Sequence, residues 1–254
     1  MAWVESSLGT FRARHDEADV RDARRVLQSL EWTALRMADL FPRPVQDITV
    51  VLHGGVASLT MTNPAMPMTW LMTAPAARRY VAGWAGAREI HLLAPAVLRA
   101  RASSVPGSRE MLALSAAALY ARRVILENNQ GLQSVIGPIR LRRQLRWAWL
   151  LEGAARWFSG QTEHARPAIA RRLHEAGGVG GVRFPPGLRD ATLLGGTVID
   201  LLAREEGEPA AAQFAARLHP QGPRAALSKA FGGRPLMHTE GAWRSHLTRL
   251  AAGQ

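Results

Sequence analysis

Residues 108–128 read SREMLALSAAALYARRVILEN, and apolar side chains recur on nearly every side of a helix drawn through them. A helix that is apolar all round belongs in the interior, so this stretch predicts a central buried helix. On its N-terminal side, residues 16–41 carry apolar side chains at helical spacing and are followed by Pro42. They predict a long amphipathic helix. The β-branched apolar runs at residues 47–53 and 89–93 predict two buried strands.

The remaining segments complete a strand-containing front, residues 1–107, and a helical rear, residues 108–254. A methionine-rich segment at residues 58–73 fits an edge strand, a lip or ordinary core packing. In the rear, Gly and Pro clusters separate predicted helices in the second half of 140–158 and at 165–175, 188–206, 209–218, 224–231 and 241–250. The pattern predicts an α+β fold built as one composite domain over residues 1–254.

The composition excludes several kinds of functional site. The chain has 254 residues, a net charge of +12 and no cysteine. Disulfides, thiolate nucleophiles and cysteine-based metal sites are therefore excluded. The basic excess is concentrated in residues 48–151, which hold twelve arginines against three acidic residues.

The longest nearly uninterrupted apolar run, residues 111–121, is far shorter than the ~20 residues that a membrane-spanning helix needs. No membrane span is therefore expected. The first ten residues do not resemble a secretory signal. The protein is expected in the cytoplasm if Met1 is the natural start, and outside it if an upstream signal or anchor has been removed.

Residues 149–158, WLLEGAARWF, resemble the W-L-x-E-G-x-A helix of the thermolysin-like zincin metallopeptidases. In that family the glutamate of this helix is the third zinc ligand, which implies such a position for Glu152. Residues 82–86, AGWAG, and 90–93, IHLL, resemble the strand that borders the substrate cleft. The resemblance implies a zincin-like fold with a cleft edge formed by Trp84, Ile90, His91 and Leu92.

An active zincin needs H-E-x-x-H on the preceding helix, because side chains four residues apart can both bind one Zn²⁺. Here Ser115, Ala116 and Leu119 take the positions of the first histidine, the glutamate and the second histidine. The resemblance implies a vestigial site of these three residues with Glu152, and no metal or other cofactor. Arg156, four residues after Glu152, is within reach of an ion pair with it.

Three functions follow as expectations. The first is a catalytically inactive pseudopeptidase with a binding or structural role, holding a peptide or protein segment against an edge strand at residues 84–93. The second is a metal-dependent hydrolase that combines Glu152 with a remote histidine such as His91. The third is an electrostatic binder of nucleic acid or an anionic surface. Its arginines would be Arg140, Arg142, Arg143 and Arg146, with Trp147 and Trp149 for stacking.

Overall fold

The computed structural model describes residues 3–133 and 138–253, and it has the predicted α+β architecture. Five strands of the front form one mixed sheet in the order β1-β2-β3-β5-β4. Their bounds are β1 Trp3–Leu8, β2 Phe11–Asp16, β3 Ile48–His53, β4 Gly83–Ala85 and β5 Glu89–Leu93. The strands predicted at residues 47–53 and 89–93 are confirmed as β3 and β5, because β-branched apolar runs suit a buried sheet interior.

The first two strands form a hairpin that the sequence analysis missed. Strands β1 and β2 pair antiparallel, with Leu8 opposite Phe11 at the turn. In β2, buried Phe11 and Ala13 alternate with exposed Arg12 and Arg14, the pattern of a half-buried strand. Strand β2 then pairs parallel to β3, and β3 pairs parallel to β5.

The other edge of the sheet differs from the prediction of one edge strand over residues 84–93. The edge strand is β4, and the chain turns back after it to form β5, which pairs with β4 on one side and β3 on the other. Ile90 and Leu92 lie on β5 and are fully buried. Their assignment to the cleft edge is therefore wrong, because an interior strand has no free edge.

Five helices accompany the sheet in the front. They are α1 Val20–Ala38, α2 Val56–Thr62, α3 Met66–Met72, α4 Pro75–Arg78 and α5 Pro95–Arg101. Helix α1 confirms the amphipathic helix predicted at residues 16–41, although it begins after a 3-10 turn at Glu17–Asp19. The methionine-rich segment forms α2 and α3 rather than a strand. Ordinary core packing holds for Leu59 and Met66, which are buried, but Met61, Met68, Leu71 and Met72 are exposed.

Helices make up the rear. They are α6 Ser108–Ala113, α7 Ser115–Asn128, α8 Gln130–Gln133, α9 Pro138–Arg146, α10 Ala148–Phe158, α11 Arg166–Glu175, α12 Ala191–Glu206, α13 Glu208–Ala216, α14 Pro223–Ala230 and α15 Leu236–Ala251. The helix predicted at residues 108–128 is broken at Leu114, where the backbone leaves helical geometry with ψ near 7°. Similarly, residues 140–158 fall on two helices, α9 and α10.

Helix α7 lies in the interior, as its all-round apolar surface predicted. It packs against α1 and the sheet on one side and against α10 on the other. Helix α10 in turn packs closely on α12. The buried hydrophobic residues form one cluster that runs from Phe11 in β2 to Leu250 in α15, through both the front and the rear. Within the described residues, no helix is long and apolar enough to cross a membrane.

Candidate functional site

A cavity of about 330 Å³ lies where edge strand β4 meets the two central helices α7 and α10. Helix α3 forms one rim through Met66 and Met72, and the start of α12 contributes Ala191 and Thr192. Three of the described lining residues are charged: Arg122 on α7, and Glu152 and Arg156 on α10. The lining therefore combines apolar walls with one compact charged cluster that carries a net positive charge.

Helix α7 faces the cavity with Ser115, Ala118, Leu119 and Arg122. These residues are spaced i, i+3, i+4 and i+7, so they form one stripe along the helix. Ser115 and Leu119 thus line the same cavity as Glu152. Ala116 does not line the cavity, because its side chain is rotated by about 100° from that of Ser115 around the helix axis. It is buried in the core at 1% exposure, and Ala118 lines the cavity instead.

Glu152 on α10 is held by two arginines. Arg122 Nε donates to Glu152 Oε1 at 2.9 Å, and Arg156 Nη2 lies 3.6 Å from Glu152 Oε2. The contact with Arg156 was expected from the i, i+4 spacing. The shorter contact with Arg122 was missed, although Arg122 lies seven residues after Ser115 and so on the same helical stripe.

Arg156 is buried, with a side chain only 9% exposed. Its Nη1 donates to Gln161 Oε1 at 2.5 Å, and Gln161 Nε2 donates to the backbone carbonyl of Met111. Burial lowers the pKa of Arg156 from its ordinary value, whereas the charge of Glu152 raises it and that of Arg122 lowers it further. The guanidinium is therefore fixed between Glu152 and Gln161, and it tethers α10 to the end of α6.

Two polar atoms at the cavity wall have no hydrogen-bond partner in the described structure: Ser115 Oγ and Arg156 Nε. Ser115 is 3% exposed and Arg156 is 7% exposed. Buried polar groups in proteins are nearly always hydrogen-bonded, so two unpaired groups on one cavity wall call for an explanation.

Strand β4 has backbone N–H and C=O groups that make no hydrogen bond to any described residue. The amide of Leu93 donates to the carbonyl of Ala82, and the amide of Gly86 donates to the carbonyl of Glu89. Because hydrogen-bonded and non-hydrogen-bonded pairs alternate in an antiparallel ladder, Trp84 bonds to β5 while Gly83 and Ala85 point their N–H and C=O groups away from it. All three β4 residues line the cavity.

His91 belongs to a separate cluster on the opposite face of the sheet from Ile90. Its ring stacks on Trp84, with centroids 4.4 Å apart, and its Nδ1 lies 3.0 Å from His53 Nε2. His91 Nε2 contacts Glu89 Oε2 at 3.2 Å. Burial, followed by the charge of His91, lowers the pKa of His53. His91 does not line the cavity, so the structure does not bring it together with Glu152.

The arginines proposed for anion binding lie on α9. Arg142 and Arg146 are exposed, and Arg143 Nη1 donates to the carbonyl of Gly131 at 2.6 Å. The side chain of Arg140 lies outside the described residues. The expected stacking by tryptophans is wrong: Trp147 and Trp149 are 3% and 2% exposed, because both pack into the helical core.

Among residues 3–133 and 138–253, no group of three or more His, Asp or Glu side chains is arranged to hold a metal ion. Comparison with known proteins found no matching family model, no matching curated protein and no matching solved structure.

Proposed function

We propose that this protein is a zincin-like pseudopeptidase, which binds an extended peptide in its cavity and does not hydrolyse it. The proposal is supported by three elements in one place: an antiparallel edge strand, an interior helix and a second helix that carries a glutamate of the W-L-x-E-G pattern. The cavity between them is the natural position for a ligand.

The contacts of Glu152 with Arg122 and Arg156 are the main support for this proposal. A zinc ion at this position would need two further neutral or anionic ligands, and the cavity face of α7 offers a serine hydroxyl, two apolar side chains and an arginine. Arg122 and Arg156 both contact the carboxylate and would repel a divalent cation. The residues present therefore do not fit zinc.

The same face lacks a group that could activate water. A general base must accept a proton, and the guanidinium of Arg122 offers only N–H donors. Ser115 Oγ has no hydrogen-bond partner within the described residues, so no neighbouring base activates it as a nucleophile. Glu152 is neutralised by its two arginines. Binding, rather than bond cleavage, is the function that this chemistry supports.

Strand β4 supplies the means of binding a peptide. The outward N–H and C=O groups of Gly83 and Ala85 can pair with the backbone of an extended segment, which adds a strand to the sheet. The exposed apolar side chains of Met72 on α3 and Leu145 on α9 line the cavity and can contact its side chains.

Replacing Ala85 by proline tests this proposal. Ala85→Pro removes the outward N–H, while the ladder bonds at Ala82 and Gly86 are retained. The probe is an acetylated, amidated pentapeptide of alternating alanine and valine, and its affinity is measured by calorimetry. We expect Ala85→Pro to bind about tenfold more weakly than the parent protein, from one lost hydrogen bond and a steric clash.

The matched control is Ala85→Val, which adds comparable bulk and keeps the N–H. It should bind the peptide as tightly as the parent protein. Equal affinity of the proline and valine variants, or no detectable binding by the parent protein, would contradict the proposal.

A further inference from the structure

The charged cluster of the cavity has more hydrogen-bond donors than acceptors. Glu152 offers the only carboxylate among the described lining residues, and it faces two guanidinium groups with five N–H donors each. One contact from each arginine reaches Glu152, and Arg156 also donates to Gln161. The cluster therefore retains both positive charge and unused donors.

The unused donors belong to residues that line one cavity. Arg122 makes its hydrogen bond to Glu152 through Nε, and its side chain is 24% exposed at the cavity wall. Arg156 Nε and Ser115 Oγ are buried at the same wall without a partner in the described structure. These residues lie on the two neighbouring helices α7 and α10, and all three line the same cavity.

The charge of these guanidinium groups and their lack of hydrogen-bond acceptors indicate which class of ligand would fit. A guanidinium can only donate hydrogen bonds, and the net charge of the cluster is positive. A group that only accepts hydrogen bonds and carries negative charge satisfies both conditions, and a carboxylate is such a group in peptides. The N-terminus of α12, at Ala191 and Thr192, adds the positive end of a helix dipole to the same cavity.

We infer that the cavity binds a carboxylate of the peptide through Arg122, Arg156 and Ser115. This inference rests on the proposed function, because β4 would align the peptide while the arginines anchor one end or one side chain of it. The carboxylate comes either from the peptide C-terminus or from an acidic side chain. Hydrogen bonds to an ionised group are about twice as strong as neutral ones, so this contact dominates affinity.

Three peptide probes separate the possibilities. All are acetylated pentapeptides of alternating alanine and valine: one ends in a free carboxylate, one is amidated, and one is amidated with glutamate at its centre. At low salt, we expect at least one carboxylate-bearing peptide to bind the parent protein about tenfold or more tightly than the neutral peptide. The peptide that gains affinity identifies the source of the carboxylate.

Two substitutions locate the contact. Arg122→Gln should abolish most of the preference for the carboxylate, whereas Arg123→Gln is the matched control. Arg123→Gln removes the same charge from the same helix. The side chain of Arg123, however, donates to Glu127 and to the carbonyl of Ala87, outside the cavity. Ser115→Ala should also weaken the preference. It should not lower the melting temperature, because Ser115 Oγ has no hydrogen-bond partner among the described residues.

The outcomes are distinct from those for the proposed function. Equal binding of all three peptides would overturn the carboxylate inference and leave strand pairing intact. A preference that survives both Arg122→Gln and Ser115→Ala would overturn the assigned residues. An affinity for the carboxylate-bearing peptide that is unchanged in Ala85→Pro would support the carboxylate contact and contradict strand pairing. Binding of none of the peptides would overturn both.

Discussion

Asp190→Ala is expected to lower the free energy of unfolding by about 4 kcal/mol. Arg172 Nε donates to Asp190 Oδ1 at 2.6 Å and Arg172 Nη2 donates to Asp190 Oδ2 at 3.2 Å. The two side chains are only 9% and 10% exposed, so removing the carboxylate leaves a buried guanidinium without its counter-charge. Asp190 also precedes the first residue of α12, whose N-terminal turn lines the cavity.

Urea-induced unfolding followed by circular dichroism measures this loss. The control is Glu175→Ala, which removes a carboxylate from the pair between Arg171 and Glu175. Those side chains are 53% and 32% exposed, and an exposed i, i+4 pair contributes at most about 0.5 kcal/mol. A loss in Asp190→Ala no larger than that in Glu175→Ala would show that the buried pair does not fix the start of α12.

Gly153→Ala is expected to lower the free energy of unfolding by about 3 kcal/mol. A Cβ at Gly153 would lie 2.3 Å from the backbone carbonyl carbon of Gly195, and a Cβ at Gly195 would lie 2.3 Å from the carbonyl oxygen of Trp149. Helices α10 and α12 therefore touch backbone to backbone, and neither can shift without moving the other. Glu152 directly precedes Gly153, so Gly153→Ala should also disturb the contact between Glu152 and Arg122.

The matched control is Gly241→Ala. Gly241 lies on α15, is exposed, and would place a Cβ with no atom within 4 Å. Alanine there should raise the free energy of unfolding by about 0.5–1 kcal/mol, because glycine is a poor helix former. Both variants are compared by urea unfolding. Equal stability of the two would mean that α10 and α12 are not in close contact.

Local sequence patterns predicted much of this fold. The runs that became β3 and β5 are β-branched and apolar, and α7 is apolar on all sides, so each signal depends only on neighbouring residues. The hairpin of β1 and β2 was harder to recognise because β2, although its burial alternates, is short and has no β-branched residue. The methionines of α2 and α3 were misread because Met fits a strand, a helix or a lip equally well.

The candidate site was predicted in outline and not in detail. Glu152 and its neighbour Arg156 share one helix, and their spacing in the sequence is sufficient to pair them. Arg122 lies thirty residues earlier, and only the packing of α7 on α10 brings it to Glu152. The break at Leu114 separates α7 from α6. The prediction assumed one continuous helix, and it therefore placed Ala116 rather than Ala118 on the cavity face of α7.

Zinc content measured together with peptide cleavage distinguishes a pseudopeptidase from an active metallopeptidase. The protein is purified from cells supplied with zinc, its metal content per chain is determined by mass spectrometry, and a mixture of peptides is incubated with it. We expect far less than one zinc per chain and intact peptides, in the parent protein and in Glu152→Gln alike. One zinc per chain with peptide cleavage, both lost in Glu152→Gln, would show that the protein is an active metallopeptidase.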